Sequence, residues 1–153
     1  MTYRIIGLDP AAYKPLFGLS DDELAVRGIA RMIVTEKPSF PCRVSLIDRD
    51  IGEEVLLLNH VSHEVANPYR ASHAIFVADA GQAEFIDEVP PVFETRALSL
   101  RGFGKDGMMA AAVLTQPGEA EAGIRQLFEN PEVETIHAHN AVRGCFSAKI
   151  ERH

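Results

Sequence analysis

The sequence has no tryptophan, only two cysteines and no long uninterrupted apolar run. Two cysteines cannot build a disulfide framework in a chain of 153 residues, and we expect both to be free thiols in a reducing compartment. No segment approaches the roughly 18 apolar residues that a membrane helix needs. The N-terminus becomes polar too soon to supply the apolar core of a secretion signal. We therefore expect a cytoplasmic protein that does not span a membrane.

Basic residues are too few and too scattered for a nucleic-acid-binding surface. The 15 Lys and Arg residues are outnumbered by 22 Asp and Glu residues, and the net charge is -7. Affinity for phosphate backbones comes largely from clustered basic side chains, so we expect no nucleic-acid partner. The 46% hydrophobic fraction is typical of a globular protein. A chain of 153 residues has the size of one ordinary domain, and we expect a single domain over residues 1–153.

Apolar periodicity predicts an α+β fold with a mostly antiparallel sheet of about six to eight strands. Short alternating or apolar runs predict strands over residues 42–46, 54–59, 74–77, 98–101, 108–114, 134–141 and 145–152. Ser20 and Glu23 form a capping-box pattern, which predicts a short helix over residues 21–27. Helical spacing of apolar residues predicts one long helix over residues 119–129.

The last two predicted strands place several chemically useful side chains on one polar face. Because side chains alternate along a strand, His137 and His139 share a face, and a three-residue loop ending at Gly144 would pair His139 with Ser147. Cys145 lies on the same face. A thiol or hydroxyl beside an imidazole suggests a small enzyme, a hydrolase or a metal-assisted one, with His139, Cys145 and Ser147 as catalytic residues.

The same face has a simpler interpretation, because two histidines on a terminal hairpin are most often surface residues. His137 and His139 have a spacing that could grip a metal ion, but no third ligand follows them locally. They are weak metal candidates, and we predict no metal and no cofactor.

The segment around the other cysteine suggests binding rather than catalysis. Cys42 falls with apolar neighbours and is predicted to be a core residue, while Arg43 faces the other way. With Arg70 and Arg101, Arg43 could form a fork for a carboxylate or phosphate group. The preferred function is therefore a noncatalytic domain that binds a small anionic molecule or a protein partner, including a second copy as a homodimer. The expected ligand-binding residues are Arg43, Tyr69, Arg70, His73, His137 and Asn140.

Several short motifs together resemble one protein family along nearly the whole chain. They are Phe40-Pro41-Cys42-Arg43 with Leu46, Gly52-Glu53, Leu56-Leu57, Pro68-Tyr69-Arg70, Ile75-Phe76-Val77, His137-x-His139-Asn140, Gly144-Cys145 and Arg152. The chain resembles the DUF1203 family, small single-domain bacterial proteins of uncharacterised function. The resemblance implies a bacterial, soluble, one-domain protein, and it implies no activity, cofactor or catalytic residue. If the two cysteine-containing segments meet around one cavity, a functional site is expected there.

Overall fold

The computed structural model describes residues 1–153 and has nine strands in two antiparallel sheets. The strands are β1 (Tyr3–Ile6), β2 (Ala30–Ile33), β3 (Glu54–His63), β4 (Ala71–Val77), β5 (Glu84–Ile86), β6 (Leu98–Phe103), β7 (Met109–Thr115), β8 (Thr135–Asn140) and β9 (Phe146–Arg152). The helices are α1 (Asp21–Val26), α2 (Pro91–Glu94) and α3 (Ala120–Phe128). The predicted α+β class is confirmed, with the strands divided between two sheets. None of the helices has the length and apolar character that crossing a bilayer would require.

The larger sheet has the order β5-β1-β9-β8-β6-β7, and α3 covers one of its faces. Ile124 and Leu127 of α3 belong to the same buried apolar cluster as Ile136 and Ile150 of the sheet. Gly123 allows the helix to come close, because a Cβ at this position would lie 2.4 Å from Cγ2 of Thr115. This cluster is the main hydrophobic core.

The smaller sheet has the order β2-β3-β4 and belongs to a second apolar cluster that includes Leu24 of α1. The predicted capping box begins α1: the Glu23 N–H donates to Oγ of Ser20 at 3.2 Å, and the Ser20 N–H donates to the Glu23 carboxylate at 2.7 Å. Gly28 follows the helix with a φ of 72°, a conformation that glycine adopts at little cost. Local sequence signals therefore determine this helix.

Four histidines, His63, His73, His137 and His139, form a layer between the two sheets. His137 and His139 project from the face of β8 opposite Ile136, as the alternation predicts, but the smaller sheet covers that face. The His137 ring centroid lies 5.0 Å from that of His63, and the His139 centroid lies 4.9 Å from that of His73. Only 3% of His137 and 1% of His139 is exposed. The interpretation of this pair as surface residues is therefore wrong.

The predicted strand over residues 42–46 is also wrong. This segment forms turns, held by an isolated parallel bridge between Cys42 and Phe76. Leu46 has a φ of 55°, which ends any extended run. Cys42 and Val44 belong to the second cluster, whereas Leu46 belongs to the main core, so the segment passes from one cluster to the other. Its apolar residues are buried for that reason and not because of a strand face.

A β-bulge changes the predicted register of the last hairpin. His137 pairs with Lys149 as expected, and Gly144 has the expected left-handed conformation with a φ of 79°. The register shifts between Ala138 and His139, however, so that His139 pairs with Phe146 and not with Ser147. The Phe146 ring consequently joins the histidine layer, with its centroid 5.9 Å from that of His139.

Candidate functional site

The two cysteine-containing segments meet around one cavity of about 560 Å³. Pro41 and Arg43 line it from the first segment, and Asn140 and Cys145 line it from the second. Further wall residues come from β4 and from the turn before β6. The volume lies within the range of small-molecule sites, roughly 300–1,000 Å³.

Arg43 is the buried cation of this cavity, with only 2% of the residue exposed. Its Nε donates to the Phe146 carbonyl at 2.8 Å, its Nη1 to the Pro41 carbonyl at 2.6 Å, and its Nη2 to Sγ of Cys145 at 3.2 Å. No carboxylate forms an ion pair with it. Burial lowers the pKa of Arg43 and the neighbouring Cys145 opposes that shift. A guanidinium nevertheless remains protonated in proteins, so the charge stays and lacks an acidic partner.

Cys145 receives a second hydrogen bond from Asn140. The Asn140 Nδ2 donates to Sγ of Cys145 at 3.3 Å, and the Asn140 residue is only 8% exposed. The other amide atom, Oδ1, is buried and has no hydrogen-bond partner. Buried polar atoms are nearly always paired, so this acceptor is an exception.

Two further arginines line the cavity and no acidic residue does. Arg96 donates two hydrogen bonds of 2.9 and 2.6 Å to the carboxylate of Asp48, which does not line the cavity. The charge of Arg96 is therefore already compensated. Arg143 is exposed and forms no ion pair. The cavity is therefore cationic in a protein whose net charge is -7.

Two histidines of the layer next to the cavity, His137 and His139, are uncharged at neutral pH. Burial lowers the pKa of His137 to about 3 and that of His139 to about 4. Burial also lowers the pKa of His73, which lines the cavity, and the Arg101 charge adds to that shift. The Nδ1 of His139 is 3.0 Å from the Gly144 carbonyl, which can only accept, so this nitrogen carries the proton.

The predicted catalytic group of His139, Cys145 and Ser147 is not assembled. The His139 ring is bonded to Gly144, and no hydrogen bond joins it to either proposed nucleophile. Ser147 is 2% exposed and does not line the cavity. The β-bulge is the physical reason, because it places Phe146 beside His139 where Ser147 was expected. Cys145 does line the cavity, but its neighbours are Arg43 and Asn140.

The predicted convergence of Tyr69 and Arg70 with Arg43 is also wrong, because neither lines the cavity. Arg70 lies 3.6 Å from the Glu64 carboxylate, and the Tyr69 ring centroid lies 6.2 Å from that of Phe103.

Of the other expected ligand-binding residues, Arg43, His73 and Asn140 line the cavity, and His137 lies behind it in the histidine layer. Arg101 donates to the Ser99 hydroxyl at 3.2 Å and does not take part in the expected fork. The alternation predicted that Arg43 would face away from the core, and this prediction is wrong. Arg43 is buried because the segment that carries it lies between the two clusters.

No group of three or more His, Cys, Asp or Glu side chains is arranged to hold a metal ion. The rings of His137 and His139 contact Phe146, with centroids 5.6 and 5.9 Å away, and aromatic carbon supplies no metal ligand.

Arg96 and Arg143 are charged cavity residues that the sequence did not indicate. Arg143 could have been found, because it stands in the three-residue loop directly before Cys145. Arg96 and its partner Asp48 are 48 residues apart and carry no local signal.

The comparisons with known proteins identify a family but no activity. Neither the curated proteins nor the solved structures contain a match to the chain. A model of the family described as "Protein of unknown function (DUF1203)" matches residues 39–152, a range that includes both cysteine-containing segments. The resemblance in the sequence motifs is thereby confirmed, and the chain belongs to the DUF1203 family.

Proposed function

We propose that the protein binds a small anionic molecule in the cavity beside Arg43. The observation that carries this proposal is the buried guanidinium with no carboxylate partner. An uncompensated buried charge costs several kcal/mol, and proteins normally pair it. A carboxylate or phosphate group in the cavity would supply the missing counter-charge.

The hydrogen-bonding capacity of Arg43 supports the same conclusion. A guanidinium has five N–H donors, and three hydrogen bonds account for three of them. Two N–H groups remain for a ligand, and Arg143 adds a second cation at the rim. An anion is favoured over a neutral molecule for these reasons.

The exposed residue Arg143 offers the cleanest test, because it makes no ion pair and its replacement should leave the fold intact. Binding of inorganic phosphate and of succinate would be measured by isothermal titration calorimetry at low ionic strength. Loss of a hydrogen bond to a charged group costs about 1.5–3 kcal/mol, so Arg143→Gln should weaken binding roughly tenfold or more. Arg70→Gln is the matched control, since Arg70 is also exposed but lies outside the cavity.

Two results would refute the proposal. The first is absence of binding heat with both phosphate and succinate. The second is equal weakening by Arg70→Gln and Arg143→Gln, which would indicate only a general effect of net charge.

We also propose the bacterial cytoplasm as the place of action. Both cysteines are free thiols, and Cys145 is partly exposed at the cavity. Such a thiol persists best in a reducing compartment.

A further inference from the structure

The sulfur of Cys145 accepts hydrogen bonds from two side-chain donors, one of which is a cation. The donors are Nη2 of Arg43 at 3.2 Å and Nδ2 of Asn140 at 3.3 Å. A cation at hydrogen-bond distance from the sulfur is typical of the surroundings in which reactive cysteines occur.

We propose that Cys145 is a nucleophile that forms a covalent bond with an electrophilic carbon of a small organic acid held in the cavity. The choice of an organic acid rests on the proposed anion-binding function, whereas the nucleophilic character of Cys145 does not. The two cysteines differ in their accessibility, because Cys145 lines the cavity. Cys42 also accepts hydrogen bonds from backbone N–H groups, including that of Ala78 at 3.2 Å, but it is fully buried and does not line the cavity.

A second observation points to a ligand beside Cys145. Arg43, which donates to the sulfur, is a buried cation without a carboxylate partner, and it lines the same cavity as Cys145. Arg43 and Arg143 would bind the acid group, since no carboxylate competes for them. The expected ligand is therefore a small acid with one electrophilic carbon.

The reaction needs no nearby base. The Cys145 thiol loses its proton to solvent, the sulfur lone pair forms the S–C bond, the bond from that carbon to its leaving group breaks, and the leaving group departs with the electron pair. With iodoacetate the C–I bond breaks, iodide leaves and S-carboxymethylcysteine remains. This step does not require His139, whose ring donates a hydrogen bond to the Gly144 carbonyl and takes no proton from Cys145.

The test is alkylation of the native protein at neutral pH with two probes of similar size, neutral iodoacetamide and anionic iodoacetate. Rates would be followed by intact mass, and the modified residue would be located by peptide mapping. Iodoacetamide should modify Cys145 about tenfold faster than it modifies glutathione, and Cys42 should stay unmodified. The ratio of the iodoacetate rate to the iodoacetamide rate should exceed that of glutathione, because the cavity is cationic.

Variants separate the charge effects. Arg43→Met should slow both reagents about tenfold, and Arg43→Lys should restore part of the rate. Arg143→Gln should lower the ratio of the two rates, whereas Arg70→Gln should leave both rates unchanged. If Arg43→Met does not fold, the comparison of the parent protein with glutathione still decides the question.

The possible failures can be told apart. A Cys145 that reacts with iodoacetamide no faster than glutathione overturns its role as a nucleophile, whatever the cavity binds. Rapid reaction with iodoacetamide but no preference for iodoacetate keeps the nucleophile, overturns the organic-acid specificity and counts against the proposed anion-binding function.

Discussion

Acidification should destabilise the fold well above the pH at which most carboxylates titrate. His137 and His139 are buried between the sheets, and burial lowers their pKa to about 3 and about 4. In the unfolded chain an imidazole takes up its proton near pH 6.5. Between these values the unfolded state binds more protons than the folded state. Stability must therefore fall as the pH decreases through this window.

The magnitude follows from the difference between the folded and unfolded pKa. From pH 6.5 to about pH 4.5, each neutral buried histidine removes roughly 2 kcal/mol from the free energy of unfolding. His137 and His139 together account for roughly 4 kcal/mol, a large fraction of the 5–15 kcal/mol typical of whole domains. Burial also lowers the pKa of His60 and of His73, so both add to the effect in the same direction.

Urea unfolding at a series of pH values between about 7.5 and 4.5 would measure this slope. His137→Phe is the informative variant, because the ring keeps its contacts with Phe103 and Phe146, and Nδ1 of His137 has no hydrogen bond to lose. It should flatten the slope by about one proton. His153→Phe is the control, since His153 is exposed at the end of the chain. A free energy of unfolding that stays constant across this range, or an equal effect of both variants, would refute the reasoning.

Two substitutions test the packing of Gly7 against residues 42–46 and the start of α1. A Cβ at Gly7 would lie 1.9 Å from the Val44 carbonyl oxygen, so Gly7→Ala should cost about 2–3 kcal/mol by urea unfolding. The control Gly18→Ala, where a Cβ meets nothing within 4 Å, should be close to neutral, and similar losses in both would contradict the argument. Ser20→Ala removes the acceptor for the Glu23 N–H and should cost about 1 kcal/mol, seen as a lower Tm, whereas an unchanged Tm would show that this cap contributes nothing.

The elements that were predicted correctly are those that short-range chemistry determines. Ser20 and Glu23 lie three residues apart and bond each other, so the pattern is sufficient to place α1. Gly144 permits the left-handed turn between β8 and β9, and Gly107 does the same between β6 and β7 with a φ of 77°. Glycine at these two positions was enough to predict both turns.

The wrong predictions concern residues that are buried by segments distant from them in the sequence. Alternation correctly placed His137 and His139 on one face, but it could not reveal that β3 and β4 cover that face. The same limitation applies to residues 42–46, whose apolar side chains are shared between two clusters. A buried arginine is rare, and no local pattern distinguishes Arg43 from the exposed arginines. A functional cavity was expected only if the two cysteine-containing segments met in the fold.

Phe146 connects the histidine layer to the cavity. Its ring contacts His137 and His139, while its carbonyl oxygen accepts the Nε hydrogen bond of Arg43. The β-bulge creates both relationships, because it turns this ring inward at the first residue of β9. Protonation of the histidines would place charge beside that ring and disturb the residue that positions Arg43. The proposed anion, held by Arg43, would bind the folded state alone, so by linkage it would oppose acid unfolding. Its binding and the neutrality of His137 and His139 would therefore stabilise the same arrangement of β8 and β9.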